Sequence, residues 1–132
     1  VLATNTSYLN INEIARSVWD IINAAAQAGD VKRVYMLSHT QNSEDGNVKI
    51  KTIGKLLDEK ITIEGMFTMV MRTHVNQGEY LFSTHNSGHD TVKTPLGMFA
   101  DDYIPNDLKA VDAAITDFYG IDAIVNPATN AA

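Results

Sequence analysis

The chain has no cysteine, which excludes disulfides, thiolate metal centres and cysteine nucleophiles together. That absence fits a reducing compartment. Basic residues are also scarce: 10 Lys and Arg stand against 16 Asp and Glu, for a net charge of −6. A domain that holds nucleic acid through a broadly basic surface carries the opposite balance, so contact with a polyanion has to be local. No apolar run approaches the ~20 residues that a membrane span requires, and no membrane partner is expected. The opening segment, Val1 to Asn10, is polar and lacks the basic and apolar regions of a secretory signal. The chain starts with Val rather than Met, as expected of one trimmed, processed or taken from something longer.

Hydrophobic residues make up 45% of the 132, enough for a core. The length fits one domain of roughly 100–150 residues. The expected boundaries are a domain over residues 1–125 and a frayed tail over 126–132. Ile11, Ile14, Ala15, Val18, Ile21, Ile22 and Ala25 recur with helical spacing and predict a helix packed on a sheet, with Trp19 off the stripe. Asn10 followed by Glu13 resembles a capping box at its start, and Gly29 is a natural stop. Val34 to Leu37 is a continuous apolar run and reads as a strand buried on both faces. A helix feeding such a strand suggests half of a βαβ unit whose preceding strand is not in this chain, since Val1 to Leu9 is too short and polar to supply it.

Asp45-Gly46 marks a turn in the acidic loop Gln41 to Asn47, and Thr52 to Glu59 fits a short helix. Gly65 to Val75 and Glu79 to Thr84, separated by Asn76-Gln77-Gly78, predict an antiparallel hairpin. Asn86 to Asp90 reads as a polar loop, and Thr91 to Met98 is extended as far as Pro95. Asn106 is placed to cap a last helix with Leu108, Val111, Ile115 and Phe118 inward and Gly120 ending it.

The apolar run Val34–Leu37 ends in Ser38-His39-Thr40. A strand that delivers two hydroxyls and an imidazole at its carboxyl end is how open α/β sheets line a ligand crevice. The same residues also suit a cap that merely satisfies backbone groups. His85 and His89 are four apart, a spacing that on a helix suits a metal, but Asn86-Ser87-Gly88 between them is a loop signal. Ser38 is adjacent to His39, but no elbow motif surrounds it and no Ser-His-Asp triad can be argued.

Five segments, taken in order, carry a family resemblance: LSHT, DGN, KIKTIGKLLDEKITIEGMFT, GEYLFST and DTVKTPLGMF. They resemble the C-terminal half of the phage-encoded RecA-like P-loop ATPases of recombination and single-strand annealing modules, over roughly Ile11 to Tyr119. The resemblance implies an α/β fold: a partial RecA-like P-loop NTPase core, with a short parallel sheet extended by an antiparallel hairpin and flanked by helices. It also implies ATP and Mg2+, single-stranded DNA, a homo-oligomer and the cytoplasm of a phage-infected bacterial host. By position in the family, Ser38, His39 and Thr40 become the γ-phosphate sensor, with His39 leading. Lys49, Lys51 and Lys55 become phosphate contacts of a DNA-facing loop. Lys93 becomes a cation reaching the ATP site of a neighbouring subunit.

One departure is decisive for activity. The phosphate-binding loop of the family, G-x-x-x-x-G-K-[ST], lies upstream of the matched region. The Gly54-Lys55 pair is no substitute, because Lys49 stands where the first glycine belongs and Leu56 replaces the Ser or Thr. The chain alone is therefore not expected to hydrolyse ATP. The alternative is a non-catalytic α/β interaction or oligomerisation module; a metal-dependent hydrolase built on His85 and His89 comes last.

Overall fold

The computed structural model describes residues 5–29, 33–52 and 61–121, with the side chains of the first helix from residue 9 onward. Two compact units emerge, one drawn from Val1–Thr68 and Gly88–Thr91, the other from Met69–Ser87 and Val92–Ala132.

The first unit opens with α1 (Asn5–Ala26), followed by Gly29 at φ +91. The apolar stripe is real, with Ile22 buried and Ile11, Ala15, Val18 and Ala25 half-buried. Ile14 and Ile21 stay exposed, as does Trp19. The expected capping box at Asn10 is not formed, because the helix already runs through that position. Extending an existing helix adds one hydrogen bond per residue fixed, so a weak cap signal inside it does not stop it.

A larger correction concerns Val34 to Leu37. These residues lie outside any strand and are exposed, Leu37 by 88%. A parallel pair needs a second strand reached by a long crossover, and no other described run in this unit supplies one. Among the described residues the structure is mixed α/β, with two small sheets that are both antiparallel; the expected parallel sheet is not among them.

The segment after Thr40, expected to be a loop, is a short hairpin, β1 (Thr40–Asn42) and β2 (Val48–Ile50), paired Thr40 to Ile50 and Gln41 to Lys49. Its turn is closed by the Ser43 N–H donating to the Asn47 carbonyl at 2.8 Å, with Gly46 at φ +82. The N–H groups of β2 that face away from β1 are also satisfied. Val48 donates to the His89 carbonyl at 2.8 Å, and Ile50 donates to the Glu64 carboxylate at 2.7 Å. Glu64 sits in a 3-10 turn, Ile63–Met66. The helix expected over Thr52 to Glu59 lies almost wholly outside the described residues, as does the tail 126–132.

In the second unit the predicted hairpin is present as β3 (Arg72–Asn76) and β4 (Glu79–Ser83). Gln77 at φ +49 and Gly78 at φ +86 make the two-residue connection, the left-handed pair that matches strand twist. The apolar residues before Arg72 do not extend β3; only Val70 pairs, in an isolated bridge to Lys93. A third strand, β5 (Tyr103–Pro105), lies beside β4 with Phe82 opposite Ile104. The last helix, α2 (Leu108–Tyr119), is capped by Asp107 rather than Asn106, the carboxylate accepting from the Lys109 N–H at 2.8 Å. Gly120 ends it as expected, at φ +63, with the Ile121 N–H donating to the Thr116 carbonyl at 3.0 Å. Val111 is buried, whereas Leu108 and Phe118, expected inward, are exposed. Among the described residues, the core of this unit is formed by Phe82, Val92, Phe99 and Val111.

Candidate functional site

The polar triplet stands at the base of the first hairpin. Because Thr40 opens β1 opposite Ile50, the next pair outward is His39 and Lys51, and the Lys51 N–H donates to the His39 carbonyl at 2.7 Å. Backbone pairing thus fixes an imidazole and an ammonium-bearing residue side by side. Ser38, His39 and Lys51 share a shallow groove with Ile14, Val18, Leu37, Thr52 and Ile63. Ser38, His39 and Thr40 are all exposed, not buried in a core. The Ser38 hydroxyl donates to the His39 carbonyl at 3.1 Å, a local bond that occupies the proton and leaves oxygen lone pairs.

Lys49 and Lys51 are two residues apart across a strand end, so both project on one side of β2. Lys55 lies outside the described residues. The hairpin tip is acidic, with Glu44 and Asp45 exposed. Asp45 holds the turn together by accepting from the Ser43 hydroxyl, the Asn47 side-chain amide at 2.7 Å and the Asn47 N–H at 3.3 Å. Those bonds, the Ser43 hydroxyl first, keep its carboxyl below the usual range. Cationic character is therefore confined to the base of the hairpin, and the tip repels phosphate.

In the other unit Lys93 is exposed on a backbone clamped from both sides. Its N–H donates to the Val70 carbonyl at 2.9 Å, and its own carbonyl accepts from the Val70 N–H at 2.8 Å. Val92, the residue before it, is only 2% exposed and anchors the segment. Thr94, the residue after, donates its hydroxyl to the Thr84 carbonyl at 2.8 Å. Thr84 is fully buried and its hydroxyl donates to the Asp101 carbonyl. The ring of His85 lies 3.0 Å from the Thr84 hydroxyl, and its Nδ1 lies 3.3 Å from the Asp102 carboxylate.

Sequence reasoning misses Glu64 and Thr84, since an isolated acid or threonine carries no local signal; their places come from tertiary contacts. His85 and His89 are not on a helix. Among the described residues no group of three or more His, Asp or Glu could hold a metal ion.

The groups present do not fit a complete nucleotide site. His39 and Lys51 can offer hydrogen bonds to phosphate oxygens, and Ser38 can do so by giving up its bond to the His39 carbonyl, but no run of glycine amides at a helix N-terminus accompanies them among the described residues. No family model, curated protein or solved structure matches the chain. None of the helices among the described residues is long and apolar enough to cross a membrane.

Proposed function

We propose that the chain is the C-terminal portion of a phage RecA-like ATPase that acts in DNA recombination. In this reading Ser38, His39 and Thr40 report on the γ-phosphate of an ATP, with its Mg2+, that an upstream phosphate-binding half holds. Lys49, Lys51 and Lys55 face single-stranded DNA, and Lys93 serves a neighbouring subunit. The parallel RecA-like core belongs to the assembled protein, in which the exposed run Val34–Leu37 gains strands to pair with. A phage-infected bacterial cytoplasm is the corresponding location.

The observation that carries the reading is the pairing of His39 with Lys51. It couples the phosphate-facing triplet directly to the strand that bears the DNA-facing lysines, so occupancy at one end can bias the other. Further support is the exposure of Val34, Tyr35, Met36 and Leu37, apolar surface that a complete assembly would cover. The same exposure favours the second reading, an interaction module without hydrolysis.

A titration of fluorescent single-stranded DNA with the chain at several salt concentrations tests the DNA-facing role. Binding should weaken with salt, and Lys49→Ala and Lys51→Ala should each flatten the logarithmic salt slope by about 0.7, the value for one single-strand phosphate contact. A salt-independent affinity, or slopes untouched by both substitutions, would contradict it.

A further inference from the structure

Asp45-Gly46 is the only Asp-Gly pair in the sequence, and both residues are exposed at the tip of the β1–β2 hairpin. A backbone isomerises most readily at such a pair, because glycine has no side chain to hinder its own nitrogen. Open space surrounds the position where a Gly46 side chain would start. In the reaction the Gly46 nitrogen attacks the side-chain carboxyl carbon of Asp45. That nitrogen loses its proton, one water leaves, and a cyclic succinimide forms. Hydrolysis returns the water and opens the ring at either carbonyl, giving aspartate or isoaspartate. The attack needs the neutral carboxyl, since hydroxide departs as water and an ionised oxygen does not.

The folded turn restrains each participant. The Gly46 N–H donates to the Ser43 carbonyl at 3.0 Å, so the attacking nitrogen is already engaged. Both carboxylate oxygens of Asp45 are occupied as well. One accepts from the Ser43 hydroxyl and from the Asn47 N–H at 3.3 Å, and the other accepts from the Asn47 side-chain amide at 2.7 Å. Bonds of this kind favour the ionised form over the reactive neutral one. They also tie the carboxyl to Asn47, so ring closure requires them to break first.

We propose that Asp45-Gly46 is a latent isomerisation site, held shut by Ser43 and Asn47 while the hairpin is folded and released once it opens. Isoaspartate routes the main chain through the side-chain carbon of residue 45, which lengthens the loop between Ser43 and Asn47 by one atom. The Ser43 N–H to Asn47 carbonyl bond that closes the turn is then lost, and with it the register of Asn42 opposite Val48. Opening thus becomes irreversible at this site. Nothing in this inference rests on the function proposed above.

The test follows isoaspartate by peptide mapping while the whole chain is kept near neutral pH in heavy-oxygen water, either folded or in urea. Isomerisation incorporates one labelled oxygen without the mass change of deamidation, which separates it from reaction at Asn42. The folded chain should form isoaspartate at Asp45 at least about tenfold more slowly than the unfolded chain, the factor that one hydrogen bond to a charged group is worth. That comparison needs no substitution. Ser43→Ala and Asn47→Ala should each speed the folded chain by about tenfold, and Ser43→Thr, which keeps the hydroxyl, should not. Glu64→Ala removes the acceptor of the Ile50 N–H and loosens the same hairpin without touching Asp45, so its rate should stay near that of the unsubstituted chain. Equal rates in folded and unfolded chain overturn the proposal, as do Ser43→Ala and Asn47→Ala chains that react no faster. A Glu64→Ala chain as fast as those two also overturns it, because the protection would then belong to hairpin stiffness and not to the clamp.

Discussion

At the scale of single residues, the candidate groups take their positions from the backbone rather than from their own chemistry. His39 lies beside Lys51 because their residues are partners in a hairpin, and the backbone of Lys93 is held by its bridge to Val70. Asp45 is the clearest titrating case. Its depressed pKa means the carboxylate contributes to the hairpin turn above the unfolded-state value, and that contribution is lost as pH falls through the folded-state one. A carbon-13 titration should give Asp45 a midpoint below the ordinary 3.8, and the turn signals of Ser43 and Asn47 should shift with the same midpoint. A midpoint at or above 3.8 would mean that the Ser43 and Asn47 bonds do not hold in solution.

At the scale of elements, the hairpin β3–β4 was legible and the hairpin β1–β2 was not. Asn76-Gln77-Gly78 sits between two β-rich runs, a signal that needs no tertiary context. Thr40–Asn42 is three polar residues, and nothing local marks it as a strand; its order depends on His89 and Glu64 satisfying β2 from the other side. Helix ends divide in the same way. Gly120 was readable because a left-handed stop favours glycine, whereas the choice between Asn106 and Asp107 as the cap is a one-residue matter that either side chain suits. The turn of β3–β4 carries one correctable cost, since Gln77 occupies a positive φ that asparagine tolerates better. Gln77→Asn should therefore raise the urea-unfolding free energy by up to about 1 kcal/mol. A loss of stability would show that the Gln77 side chain contributes contacts beyond the turn.

At the scale of the whole chain, the sequence points to a buried parallel strand at Val34–Leu37, and the structure exposes it. The composition of that run is right for a double-sided burial, but burial requires partners, and periodicity does not reveal whether partners exist. The same limit applies to the polar triplet. Its neighbourhood with Lys51 follows from the hairpin register, while the phosphate-sensing role proposed for it rests on the resemblance to RecA-like ATPases alone. Exposed apolar surface at Val34–Leu37 is common ground for the two readings, because a larger assembly and an interaction module would each use it as a contact surface.

The central claim is that His39 senses a phosphate held by other residues and passes that state to Lys51. It is tested most directly by ATP hydrolysis, with and without single-stranded DNA, in a form of the protein that carries its phosphate-binding half. His39→Ala should remove the stimulation by DNA while nucleotide binding persists. Stimulation equal to that of the unsubstituted protein would contradict it.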